Sequence, residues 1–169
     1  VGDLRWRPPE PPESWTGVRD ATSFGNRCPQ VDYLGQPLGD EDCLTLNIWR
    51  PVSKKKNLPV VVYFHGGSHM VGSGSLYRGT RLAQEDVIFI SVNYRLNLFG
   101  WLNHPALKVV DDSSDSRAAL TNSGNFATLD LIQALQFVQD NIAAFGGDPA
   151  NVTIMGQSAG AASVFSLMA

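Results

Sequence analysis

The sequence predicts an α/β fold in which a central, mostly parallel sheet is flanked by helices. Two short, almost uninterrupted apolar runs, 59–64 and 87–92, have the pattern of strands covered on both faces. Between 128 and 145 the apolar residues Leu129, Ile132, Leu135, Val138, Ile142 and Phe145 recur at steps of three and four, the period of a helix packed on a sheet. A third apolar run, 152–155, follows that helix, and the order strand, helix, strand predicts a right-handed parallel crossover.

Along the chain, residues 1–42 are rich in proline, glycine and charge without a sustained period, so they are expected to wrap the surface with short strands. Residues 44–49 alternate apolar and polar, which marks a strand with one buried face, and 51–59, with Lys54, Lys55 and Lys56, form the turn after it. The polar stretch 111–122 reads as a surface loop. In the helix, Asp130, Gln133, Gln136 and Asp140 occupy the polar spacing between apolar residues. Gly146 to Pro149 supply its C-terminal stop. After Gly156 the residues turn small and apolar through Ala169, which suits a helix buried on most sides.

The 169 residues fit one compact domain or a piece of a larger one. Hydrophobic residues make up 43% and charged residues 17%, a balance that supports a buried core. With 13 basic and 16 acidic residues spread along the chain, a net charge of -3 provides no field to hold nucleic acid or an anionic membrane. No apolar run approaches the roughly 20 residues that span a bilayer. The first residues lack the order of a signal peptide, which leaves a mature chain or one whose start is missing. Cys28 and Cys43 flank a polar loop bearing Gly35, Pro37 and Gly39. They can close a small ring, contributing about 3 kcal/mol, or remain two buried thiols. The ring belongs to an oxidising compartment, and on that basis the chain is read as secreted.

Two glycine motifs carry the chemistry. Residues 156–160 (GQSAG) fit G-x-S-x-G and lie directly between an expected strand and an expected helix, the setting of a nucleophile elbow. Such a turn strains its central residue, Ser158. Gly156 and Gly160 lack the β-carbons that would collide across so tight a bend. The helix beginning at Ala159 aims free amides at the place where negative charge develops. An incidental serine in a glycine-rich turn is the alternative, and a second signal weighs against it. His65-Gly66-Gly67-Ser68 follows another expected strand, and its glycines let bare amides face a reacting carbonyl oxygen.

With these motifs in place, the chain resembles the type-B carboxylesterases, the cholinesterase, carboxylesterase and fungal lipase family. The likeness runs in order through residues 2–12 (GDLRWRPPEPP), 15–22 (WTGVRDAT), 41–48 (EDCLTLNI), 93–96 (NYRL), 124–126 (GNF), 134–142 (ALQFVQDNI) and 145–160 (FGGDPANVTIMGQSAG). The resemblance implies an α/β-hydrolase fold and acylation of Ser158. It also implies an oxyanion hole from the amides of Gly67, Ser68 and Ala159, a disulfide between Cys28 and Cys43, and a structural ion pair of Arg5 with Glu41. Three positions depart from the family pattern. Ser68 stands where a third glycine is usual, Gln157 replaces an acidic residue, and His69 stands where an aromatic is more common, either tuning the pocket or facing solvent.

A serine nucleophile needs a base within hydrogen-bond reach. In α/β-hydrolases the order is Ser, then Asp or Glu, then His, whereas His65, His69 and His104 all precede Ser158. His65 is read as part of the oxyanion-loop turn and His104 as a loop residue. Residues 1–169 are therefore expected to be the N-terminal portion of a single catalytic domain, without the family's N-terminal sheet and C-terminal part. The remaining fragment would supply the catalytic acid and histidine. The leading expectation is hydrolysis of a small-molecule carboxylic ester without metal or organic cofactor. An interfacial lipase or sterol esterase, with a mobile lid, and a non-catalytic adhesion-type relative are the alternatives. The loop between Cys28 and Cys43 is short for a lid. Asn151 opens an Asn-Val-Thr glycosylation sequon, but its side chain is expected to tie down the preceding turn.

Overall fold

The computed structural model describes residues 2–109 and 116–169. The proline-rich N-terminal segment runs over the surface and contributes a 3-10 turn (Gly2–Leu4) and the strands β1 (Gln30–Val31) and β2 (Pro37–Leu38), paired antiparallel. Asp32 closes the turn between them, its Oδ1 accepting from the amides of Leu34 and Gln36 at 2.8 Å each. The Cys28–Cys43 disulfide encloses this hairpin.

The main sheet comprises β3 (Leu46–Trp49), β4 (Leu58–Phe64), β5 (Ile88–Val92) and β6 (Gly147–Gly156). Their order is β3-β5-β4-β6, with β3 antiparallel to β5 and both pairs made by β4 parallel. All five residues of β5 are buried, as an apolar strand in the middle of a covered sheet should be. Pro59 has no amide to donate, and the β4–β6 register shifts between Leu58 and Val60. Beyond that shift the register is regular, so Phe64 lies opposite Gly156 and the two strands end level with each other. The run expected at 152–155 is the inner part of this longer strand.

Five helices accompany the sheet among the described residues: α1 (Thr80–Gln84), α2 (Asn97–Gly100), α3 (Ser116–Ser123), α4 (Phe126–Asn141) and α5 (Ala159–Met168). The connection from β5 through α4 to β6 crosses β4, because β5 and β6 flank that strand. The loop expected over 111–122 is helical from Ser116, while residues 110–115 lie outside the described residues. Ala118 and Thr121 sit buried on one side of α3, a two-residue face too small to register as an apolar period. The helix expected over 128–145 begins earlier, at Phe126, and tightens into a 3-10 turn over Ile142–Phe145 before Gly146 leaves it at φ 88°.

The buried face of α4 also differs from the apolar stripe. Phe126, Ala127, Asp130, Leu131 and Val138 are buried, whereas Ile132 is 49% exposed. Asp130 turns inward because Arg95, just past β5, meets it. Arg95 Nε donates to Asp130 Oδ2 at 2.8 Å, Nη2 to Oδ1 at 2.6 Å, and the Arg95 amide to Oδ2 at 3.1 Å. The same guanidinium donates to the Arg7 carbonyl at 2.9 Å and the Phe126 carbonyl at 3.3 Å, so one side chain joins β5, α4 and the N-terminal wrap. Burial pushes the Asp130 carboxyl up, against the opposing pull of Arg95.

The expectation of a helix buried on most sides does not hold for α5. Gly160 and Ser163 are buried on its inner side, but Phe165 and Met168 are each 72% exposed, because no described residue covers its outer face. A groove between α4 and α5 is lined by Ile132, Leu135, Ile154 and Leu167. The Arg95 hub yields a stability prediction. In the full-length protein, Asp130→Asn removes the countercharge of a largely buried guanidinium and should cost about 3–5 kcal/mol in urea unfolding. Replacing both partners, Arg95→Met with Asp130→Leu, should cost less than the single change.

Candidate active site

The candidate site lies where β4 and β6 end together. At the end of β6, Ser158 adopts φ 55° and ψ -120°, a conformation far from the wells open to a residue with a β-carbon. Holding it there costs on the order of 1–3 kcal/mol, which surrounding structure must enforce. The two elbow glycines show how. A β-carbon on Gly156 would come within 2.3 Å of the backbone of Gly160, and one on Gly160 would lie 2.1 Å from the Phe64 carbonyl oxygen. The first turn of α5 is thus pressed directly onto the end of β4. Ser158 itself is exposed, and no described residue hydrogen-bonds its hydroxyl.

Across from the elbow, the chain leaves β4 through His65 and Gly66 into three consecutive left-handed residues, Gly67 at φ 111°, Ser68 at 56° and His69 at 59°. A β-carbon on Gly66 would strike the Gln157 side-chain oxygen at 2.2 Å, so this loop and the elbow touch. Gln157 is exposed. The loop folds on itself as the amides of Met70 and Val71 donate to the Gly67 carbonyl at 2.9 and 3.0 Å. Its far end is clamped by Gln30, whose side-chain amide bonds both the carbonyl and the amide of Gly72, at 2.8 and 2.9 Å. The amide of Asn97 donates to the His69 carbonyl at 2.7 Å. Among the described residues, no acceptor takes the amides of Gly67, Ser68 or Ala159.

The three histidines occupy different environments. His65 is 1% exposed and stacks on Tyr94 with ring centroids 4.4 Å apart. Its Nδ1 lies 2.8 Å from the Gly66 carbonyl, which can only accept, so Nδ1 carries the proton. Tyr94 Oη donates to the His65 carbonyl at 2.5 Å, and burial drives its phenol well above the usual tyrosine range. Burial likewise lowers the His65 pKa below its ordinary 6.5, partly offset by the hydrogen bond to Gly66. His69 is partly buried, its Nε2 directed to the Ala159 carbonyl. His104 is exposed, its Nδ1 accepting from the Ala106 amide at 3.2 Å at the start of a 3-10 turn. Among the described residues, neither a histidine nor a carboxylate reaches Ser158, and no group of three metal-ligating side chains occurs.

The whole chain, residues 1–169, matches the family described as the carboxylesterase family. This chain belongs to the carboxylesterase family. Among curated relatives, it is 45% identical to the para-nitrobenzyl esterase of Bacillus subtilis, covering 100% of this chain and 34% of that protein. With the liver carboxylesterase 1 of Oryctolagus cuniculus the identity is 40%, covering 99% of this chain and 30% of the relative. Among solved structures, a PNB esterase superposes with a TM-score of 0.84 at 44% identity, over 100% of this chain and 34% of that one. A carboxylesterase of Geobacillus stearothermophilus gives 0.80 at 48% identity, over 97% and 33%. These neighbours fix the fold as a partial α/β-hydrolase. The chain spans about a third of the length of the relatives it matches.

Elsewhere in this carboxylesterase-family chain, Arg5 Nε donates to Glu41 Oε2 at 2.9 Å and the guanidinium makes a second contact to the same carboxylate. That contact lowers the Glu41 pKa, chiefly through the hydrogen bond. Asn151 is exposed within β6 and does not tie down the turn before it. Asp148 does so, its Oδ1 accepting from the Ala150 amide at 2.9 Å.

Two predictions follow from this packing in the full-length protein. Gly160→Ala must displace α5 from β4, with an expected loss of about 1–3 kcal/mol in thermal unfolding. For His65, the unfolded chain takes up a proton near pH 6.5 while the folded chain resists it. Stability is therefore complete above that pH and should fall as pH drops through it, flattening below the folded-state pKa. His65→Asn should remove this segment from the curve of stability against pH.

Proposed function

We propose that Ser158 is the nucleophile of a carboxylic-ester hydrolase. The observation that carries the reading is the backbone of Ser158, held at φ 55° and ψ -120° on the corner between β6 and α5. Strain of this kind persists where function needs the side chain presented. Family membership and the esterase relatives support the reaction class.

In the proposed reaction Ser158 Oγ attacks the ester carbonyl carbon, and its proton passes to an imidazole from outside residues 1–169. The carbonyl oxygen becomes an oxyanion that accepts hydrogen bonds from the amides of Gly67, Ser68 and Ala159. Collapse of the intermediate expels the alcohol, which takes the proton from the imidazolium. Water then gives a proton to the imidazole and attacks the acyl carbon, the acyl–Oγ bond breaks as that proton returns to Ser158 Oγ, and the carboxylic acid leaves. Gly156 and Gly160 permit the corner, and Arg5 with Glu41 is a structural pair without a chemical part. The exposed face formed by Met155, Phe165 and Met168 supports cover by the rest of the catalytic domain, which would also supply the acid and histidine. A small soluble ester fits the short Cys28–Cys43 loop better than a lipid surface does. The disulfide and the vertebrate relatives support secretion, and the exposure of Asn151 admits glycosylation there.

The full-length protein treated with a fluorophosphonate should carry the adduct on the peptide containing Ser158. Ser158→Ala should abolish labelling and lower kcat by about 10³-fold or more. An adduct elsewhere, or hydrolysis undiminished in Ser158→Ala, would reject the assignment.

A further inference from the structure

We propose that His69 is a positioning residue for the oxyanion hole, tying the Gly66–His69 loop to the first turn of α5. The proposal rests on the reading of Ser158 given above. Two of the three proposed oxyanion donors, Gly67 and Ser68, lie on this loop, and the third, Ala159, opens α5. The gap between loop and helix therefore sets the geometry of the hole, and three left-handed residues in a row hold their conformation only if surrounding contacts determine it.

The other hydrogen bonds of the loop do not reach the helix. Met70 and Val71 bond within the loop, Asn97 bonds the His69 carbonyl, and Gln30 bonds Gly72. Among the described residues, the hydrogen-bonded link from loop to α5 is His69 Nε2, which lies 3.0 Å from the Ala159 carbonyl oxygen and 3.2 Å from Ser163 Oγ. A carbonyl oxygen can only accept, so Nε2 carries the proton and donates. Ser163 Oγ in turn donates to the same carbonyl at 3.2 Å, leaving a lone pair to share the Nε2 hydrogen. This use of Nε2 removes it as an acceptor for the Ser158 proton, so His69 holds the site without serving as its base.

The ring cannot easily swing away. It packs against Trp101 at 4.5 Å between centroids and meets Tyr94 edge-on at 6.4 Å, while Tyr94 is itself bonded to the His65 carbonyl. The bond thus joins the residue next to one proposed donor, Ser68, to the residue that supplies another, Ala159. A phenyl ring at position 69 would fill the same space but provide no tether.

The test uses the full-length protein, with active sites counted by fluorophosphonate titration and p-nitrophenyl acetate as substrate. His69→Phe should lower kcat per titrated site by roughly ten- to a hundredfold, the effect of an ångström-scale misplacement, with little change in KM. Inhibition by a trifluoromethyl ketone, whose adduct places an oxyanion in the hole, should weaken in parallel. His69→Gln, with an amide N–H at the Nε2 position, should recover most of both losses. A His69→Phe variant with reduced thermal stability but wild-type kcat per titrated site would overturn the positioning role, as would a His69→Gln variant equally impaired. Failure of the unsubstituted protein to label at Ser158 would instead strike the underlying assignment of the nucleophile.

Discussion

The structure depends on a single close approach, that of Gly160 to the carbonyl end of β4. No side chain fits between them, since a β-carbon would sit 2.1 Å from Phe64 O and 2.7 Å from His65 O. This contact, with the parallel register that sets Phe64 opposite Gly156, brings two turns to one level. One turn carries Ser158. The other carries Gly66, Gly67 and Ser68. Separately, each is a glycine-bearing bend after a strand, and their meeting forms the candidate site.

Bends of this kind are not stable by themselves. Ser158, Ser68 and His69 all have positive φ with a β-carbon, and each position costs conformational energy that neighbours must supply. The supporting contacts come from many parts of the chain. Gln30, inside the disulfide ring, grips Gly72, Tyr94 grips the His65 carbonyl, and Asn97 reaches both the His69 carbonyl and the Pro29 carbonyl. Arg95 fixes the segment after β5 against α4. The N-terminal wrap, whose regular structure is little more than the short β1–β2 hairpin, is therefore part of the framework that holds the strained loop.

Much of this was legible in the sequence because it follows from backbone requirements. Uninterrupted apolar runs identify β4 and β5, the position of G-x-S-x-G between a strand and a helix identifies the corner, and the ordered family blocks identify the fold. What stayed hidden is what polar residues do once buried. Asp130 is spaced as a solvent-facing residue in α4, and only the arrival of Arg95 from β5, 35 positions away, explains its burial. His69 likewise could not be assigned between pocket and solvent, because its partners on α5 lie 90 and 94 positions along the chain. Helix α3 escaped for a simpler reason, since two buried side chains form no period. The exposed outer face of α5 looked buried because composition records how apolar a helix is and not what covers it.

In the proposed reaction the work divides unevenly along the polypeptide. Residues 1–169 hold the nucleophile and every amide assigned to the oxyanion, whereas proton transfer relies on groups elsewhere. Stabilising a developing oxyanion with fixed donors is usually the largest electrostatic contribution to acyl transfer, and it needs rigid geometry more than it needs titratable groups. That requirement is consistent with the arrangement among the described residues: the amides of Gly67, Ser68 and Ala159 have no acceptor, the first two lie on backbone at positive φ, and surrounding side chains hold that backbone. Ser68, His69 and Gln157 depart from the family pattern without removing any of these amides. The assigned donors are main-chain groups, so a change of side chain at these positions leaves them in place and can act only through how the backbone is held.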